Sequence, residues 1–209
     1  MDGLLIDSEP LWQEAGAELL GQYGVTLTDE QYHSSTGLRT PEWTDHWFRH
    51  FQLDTSGIPA AIQLIEQTAI DKIANRGQAM PGVEHVAGLF QNSGYRIGLA
   101  SSSPMRLIEV VVKKLNLAPY LHAVVSAELL PYGKPRPQVF IDCAAVLDVA
   151  PAECLVFEDS FNGLISAKAA KMKCIVVPAP GSYDNAKWAA ADARLRSLQD
   201  FKMELLHGF

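Results

Sequence analysis

The sequence predicts an α/β protein: a parallel sheet covered by helices on both faces, an all-helical insertion near its start, and the first core strand missing. Three observations carry that expectation. From Met80-Pro81-Gly82 onward, helical stretches alternate with short apolar runs, the pattern of parallel strands joined through helical crossovers. The stretch from Pro10 to Ala79 holds apolar-periodic helical segments and no convincing strand. The chain opens MDGLLIDSEPLW, which reads as a loop leading from a strand into a helix, yet no strand precedes it.

The elements follow in order. Gly3 permits a tight turn, Ser8 is placed as an N-cap, and Glu9-Pro10 suit a first helical turn. PLWQEAGAELLGQYG reads as a helix ended by Gly24. PEWTDHWFRHFQL puts Trp43, Trp47, Phe48 and Phe51 at helical spacing, and IPAAIQLIEQTAIDKIA continues the pattern. Beyond Gly82 come VEHVAGLFQNSG as helix, YRIGLA as strand, PMRLIEVVVKKLN as helix and HAVVSA as strand. PQVFIDCAAVLDV (helix), CLVF (strand), FNGLISAKAAKM (helix) and CIVVPA (strand) complete the alternation. The expected organisation is a core from residues 1–9 and 80–209 with a helical cap over 10–79.

Composition narrows the function classes. With 209 residues, 48% apolar and 20% charged, the chain can bury a good core. A formal net charge of −7 without a Lys/Arg run argues against a nucleic-acid face, while a few local cations can still serve one phosphate. No signal peptide or membrane-length apolar run is visible. Three cysteines (Cys143, Cys154, Cys174) without CxxC spacing read as buried free thiols in a reducing cytoplasm.

In parallel sheets ligands sit beyond the carboxyl ends of the strands, so the residues after each apolar run matter most. Ser101-Ser102-Ser103 lie between a strand and a helix, where hydroxyls and free N–H groups make an anion site; alone, SSSP reads as helix capping. Lys134 stands in YGKPRP, with Pro135 biasing it to an extended backbone, and offers a point charge to a phosphate; alone it reads as a solvated loop lysine. Glu158-Asp159 place two carboxylates at the mouth of a buried strand, as hard ligands for Mg²⁺ or, for Asp159, as a helix cap. Asn162-Gly163 suggests a hairpin turn, which the helical periodicity of LISAKAAK excludes. His46 and His50 stand four apart on a helix, but HEXXH needs Glu where Trp47 stands, so they read as a helix face.

Together these residues supply phosphate ligand, cation and metal ligands at consecutive strand ends. That order resembles the haloacid dehalogenase-type phosphatases, whose signature begins DxDG. DGLLIDSEPLW, GLASSSP, GKPRPQVFIDCAA, FEDSFNGLISAKAA and IVVPAP are similar to the bacterial sugar-phosphate phosphatases described as hexitol or 2-deoxyglucose-6-phosphate phosphatases. The resemblance implies a Rossmann-like core with a helical cap and Mg²⁺ as cofactor. It implies Asp2 as acid/base, Ser101 and Lys134 as phosphate ligands, and backbone N–H groups of Gly3 and Ser102 turned to the phosphate. Asp159 with Glu158 would hold Mg²⁺, joined by the Asp2 carbonyl. In the cap, STGLRT matches the substrate-specificity loop, with Arg39 reaching a sugar hydroxyl or phosphate.

In DxDG the nucleophile lies two residues before Asp2, a position with no counterpart in this sequence, where Met1 is the middle x. Losing three or four large side chains from a central strand removes ~5–10 kcal/mol, comparable to a domain's margin of roughly 5–15. The expectation is therefore a truncated or wrongly started version of a longer chain, inactive as written, with a groove between the strands ending at Ala100 and Phe157. The full-length form is expected to be a cytoplasmic, monomeric phosphatase of hexose or hexitol 6-phosphates, binding neither nucleic acid nor membrane. The alternatives are a phosphosugar mutase of the same superfamily and a catalytically silent phosphosugar-binding protein.

Overall fold

The computed structural model describes residues 1–35 and 38–208; Thr36 and Gly37 of the STGLRT loop lie outside the described residues, as do Phe209 and the His33 side chain. The chain begins in a tight loop. Gly3, at φ +67°, turns it so that the Gly3 N–H donates to the Ile6 carbonyl at 3.0 Å and the Leu5 N–H to the Met1 carbonyl at 2.8 Å. Ile6–Asp7 (β1) then pair antiparallel with Gln78–Ala79 (β2), a two-residue ribbon where the chain leaves the core and returns.

Between these crossings run α1 (Glu9–Gly21), α2 (Asp29–Ser34), α3 (Thr40–His50) and α4 (Ile58–Arg76). The short α2 adds to the predicted helices. Its start is fixed by a reciprocal cap: the Gln31 N–H donates to Thr28 Oγ1 and the Thr28 N–H to Gln31 Oε1. The aromatic stripe of α3 faces inward, and Trp47 and Phe48 are buried among Leu19, Leu20 and Ile73. The same apolar cluster takes in Leu107 and Ile108 from the core, so the cap packs onto it. Each such side chain contributes about 1.5–3 kcal/mol when fully buried.

The core continues with α5 (Val83–Asn92), β3 (Gly98–Ser101), α6 (Met105–Lys114), β4 (Ala123–Ser126), α7 (Gln138–Leu147), β5 (Leu155–Glu158), α8 (Phe161–Ala169), β6 (Lys173–Val176) and β7 (Ala193–Arg194). Strand β3 pairs parallel with β4, and β5–β6–β7 form a second parallel piece. β3 starts three residues inside the predicted YRIGLA run. The Ile97 N–H is taken by His122 Nδ1 at 3.2 Å, and Arg96 reaches the Leu147 carbonyl. The two-residue β7 is too short for a periodicity to reveal.

Among the described residues the two sheet pieces do not pair with each other. Their facing edges, around Leu99 and Val156, line a cavity of about 640 Å³, walled by Val86 and Phe90 of α5 and by Phe140 and Cys143 of α7. All three cysteines are free, with Cys143 and Cys174 buried and Cys154 half-buried. Burial pushes the Cys143 and Cys174 thiols up to about 11 and about 12, so both stay neutral packing groups. Among the described residues no helix is long and apolar enough to cross a membrane.

Candidate active site

The carboxyl ends of β3 and β5, the opening loop and the loop after β4 meet at one pocket of about 120 Å³. Asp2, Ser101, Ser102, Lys134, Glu158 and Asp159 all line it. Gly3 does not turn its N–H to a phosphate as expected, because the tight opening turn gives it to the Ile6 carbonyl; its role is space, since a Cβ there would lie 2.2 Å from Asp159 Oδ2, so only glycine lets the loop approach this closely at positive φ.

Asp2 is fixed through both carboxylate oxygens. Oδ1 accepts from the Ser8 hydroxyl at 2.6 Å and from the Trp12 indole N–H at 3.1 Å; Oδ2 accepts from the Ser103 hydroxyl at 2.6 Å. Ser8 stands at the N-cap of α1, but its hydroxyl makes no capping bond and is given to Asp2 instead. Ser8 and Trp12 stand four residues apart, the spacing that puts them on one helix face.

The capping roles that competed for the serines and for Asp159 belong to other residues. At the start of α6, the Met105 N–H donates to Glu128 Oε2 at 2.9 Å. Ser101 Oγ instead donates to Ser103 Oγ at 3.1 Å, and Ser102 Oγ is buried with no partner among the described residues. At the start of α8 the cap is Ser160, whose hydroxyl accepts the Gly163 N–H at 3.0 Å. Nor is Lys134 a solvated loop lysine. Its side chain is 7% exposed, its ammonium donates to Glu158 Oε1, and it lies 4.7 Å from the centre of the Phe140 ring.

Acidic groups outnumber cations on this floor. Glu158 Oε1 faces Lys134 while Oε2 accepts from the Ser160 hydroxyl at 3.0 Å. Burial pushes the Glu158 carboxyl up, but Lys134, with the Met1 ammonium and the Ser160 hydroxyl, outweighs it and holds the group below the usual carboxylate range. Asp159 accepts no side-chain hydrogen bond among the described residues, and burial, then the Glu158 charge, pushes it up to about 7. Glu9, also in the pocket, is raised to about 8 by burial and by Asp159 and Asp2. The Asp2 carbonyl likewise accepts no hydrogen bond among the described residues. Among the described residues no group of three or more carboxylate, imidazole or thiol side chains is gathered as a metal cluster, so the hard oxygen donors of the kind Mg²⁺ takes are single groups here. The fit lies at Asp159 and the Asp2 carbonyl more than at Glu158, whose oxygens are already engaged.

The cap contributes Trp43, Tyr32 and Arg39 to the opposite wall. Arg39 differs from expectation in where its donors go. Its Nε–H and one Nη2–H go to Glu42 Oε1; Nη1 donates to the carbonyls of Ala127 and Leu130 at 3.2 and 2.6 Å, and Nη2 to that of Pro131 at 3.3 Å. No guanidinium N–H remains for a sugar. Sequence reading also missed Trp12 and Glu9, and the part Ser103 takes in holding Asp2. The i, i+4 spacing of Ser8 and Trp12 was a usable signal, whereas the Ser103–Asp2 contact spans 101 residues and left none.

A haloacid dehalogenase-like hydrolase model matches residues 1–171. The chain belongs to the haloacid dehalogenase-like hydrolase family. It is 38% identical to hexitol phosphatase B of Escherichia coli over 209 residues, covering all of this chain and 94% of that protein. It is 29% identical to the fructose-1-phosphate phosphatase of the same species over 178 residues, covering 85% of this chain and 93% of that one. Its fold matches that of CbbY from Rhodobacter sphaeroides, determined in complex with phosphate, with a TM-score of 0.88 and 22% identity over 99% of this chain and 96% of that one. By family this is a phosphoric monoester hydrolase fold with a helical cap, similar to sugar phosphatases.

Proposed function

We propose that this chain carries the substrate and metal site of a Mg²⁺-dependent phosphatase acting on hexose or hexitol 6-phosphates, a soluble cytoplasmic monomer. The observation that supports it most is the meeting of Asp2, the SSS loop, Lys134 and Asp159 in one pocket, with the Ser102 hydroxyl left unpartnered there. A buried hydroxyl without a partner costs about 1–3 kcal/mol, and a phosphate oxygen would recover it. The similarity to hexitol phosphatase B favours a linear or cyclic six-carbon leaving group.

In this reading the phosphate lies between Ser101, Ser102 and Lys134, whose ammonium shares its charge between Glu158 and the anion. Asp159 and the Asp2 carbonyl would hold the metal, which when bound would offset the negative charge of the transferring group. Asp2, immobilised by Ser8, Trp12 and Ser103, is placed to pass a proton to the leaving sugar oxygen and to regain one from the water that takes up the phosphoryl group. Trp12 and Trp43 give the sugar apolar faces and narrow the entrance to water. Calorimetric titration with sorbitol 6-phosphate tests the reading. Binding should require Mg²⁺ and be lost in Asp159→Asn; equal affinity with and without the metal would refute it.

A further inference from the structure

The loop after β4 brings Lys134 to the pocket, yet it has little burial of its own to hold it there. Leu129 is 94% exposed and Tyr132 is 65% exposed. What spans the loop from outside is the pair Arg39–Glu42 at the start of α3. Arg39 gathers three of its carbonyls, those of Ala127, Leu130 and Pro131. Glu42 Oε1 accepts the N–H of Gly133, the residue before Lys134, at 3.3 Å. The contact is close: a Cβ on Gly133 would lie 2.9–3.0 Å from Arg39 Nε, Cδ and Cγ. Arg39 and Glu42 are themselves joined, with side chains 12% and 32% exposed. A planar guanidinium with five donors suits such multiple capture, which a lysine cannot copy.

We propose that Arg39 and Glu42 are positioning residues: they clamp the cap to the Lys134 loop and act on the phosphate through Lys134, without touching the substrate. This rests on the phosphate-site reading above, and it makes a distinction that a sugar-contacting arginine would not. A clamp acting through Lys134 affects every phosphate ligand alike. A direct sugar contact affects only ligands that carry the sugar.

The test uses the whole chain with Mg²⁺ and has two arms. In the first, hydrogen exchange of the amides of residues 128–130 and 132–134 is compared between wild type, Arg39→Ala and Gly133→Ala. Both variants should exchange faster there while the amides of β5 and β6 are unchanged; unchanged exchange in the loop overturns the proposal. In the second, affinities for inorganic phosphate and for sorbitol 6-phosphate are measured by calorimetry. Both should fall by the same factor, about tenfold, the scale of a lost charge-assisted bond. Gly133→Ala, which removes no side-chain contact to a sugar, should reproduce the effect, and Arg39→Lys should not rescue it. A loss confined to the sugar phosphate overturns the proposal. No phosphate binding by the wild-type chain overturns the functional reading and with it the clamp's role toward phosphate. The exchange arm reports the loop itself separately.

Discussion

Replacing Lys134 by methionine leaves Glu158 facing an apolar chain of similar length where a cation stood. Both side chains are almost fully enclosed, 7% and 6% exposed. Removing one partner of a buried ion pair costs about 3–5 kcal/mol, because the remaining charge is uncompensated. For a chain of this length each kcal/mol shifts Tm by about 2–4 °C, so Lys134→Met should lower it by roughly 6–20 °C at pH 7. The sign with pH follows from Glu158. In the wild type its carboxyl is held below the usual range, so its contribution is present above the unfolded value of about 4.3 and is lost as pH falls through the folded one. In the variant burial is opposed only by the Met1 ammonium and the Ser160 hydroxyl, so that carboxyl rises, and the penalty is greatest at neutral pH and shrinks as acid protonates Glu158. Urea unfolding and thermal melting from pH 4 to 8 read both effects. The double variant Lys134→Met/Glu158→Gln should recover most of the loss, since a neutral pair replaces an orphaned charge. A single variant as stable as wild type at pH 7, or a double variant as unstable as the single, would refute the reasoning.

Three further outcomes are expected. Because Asp159 is raised to about 7, Mg²⁺ should displace close to one proton at pH 6 and almost none at pH 8.5, with affinity rising between them; calorimetry in buffers of different ionisation enthalpy measures this, and a pH-independent affinity would contradict it. Gly3→Ala forces a Cβ at φ +67° to within 2.2 Å of Asp159 Oδ2, so it should cost about 1–3 kcal/mol of stability and most of the Mg²⁺ affinity, and wild-type metal binding in this variant would remove Asp159 from the metal site. An apolar segment of four or five residues fused ahead of Met1 should enter the cavity between β3 and β5, burying two or three side chains and adding about 3–9 kcal/mol; an unchanged urea midpoint would show that the cavity does not take a strand.

Much of this was legible in the sequence because its signals are local. Trp43, Trp47 and Phe48 betray α3 by spacing alone, apolar runs followed by polar residues marked Ser101 and Glu158-Asp159 as strand-end groups, and the stiff frame of YGKPRP singled out Lys134. What stayed hidden depends on contacts across the chain. Ser103 holds Asp2 from 101 residues away, and Arg39 meets carbonyls 88 to 92 residues on. Nothing in STGLRT says whether its arginine turns to a ligand or to a neighbouring loop. The division of labour between Glu158 and Asp159 was hidden for the same reason: adjacent carboxylates look alike until Lys134 and Ser160 are seen to occupy one of them.

The central claim is a position, and it can be tested as one. Crystals of the chain soaked with Mn²⁺, a scatterer that can replace Mg²⁺, and inorganic phosphate would locate the metal by anomalous diffraction. The account predicts a metal peak bonded to the Asp159 carboxylate and the Asp2 carbonyl, with phosphate between Ser101, Ser102 and Lys134. A metal peak outside this pocket, or phosphate held by other residues, would contradict it.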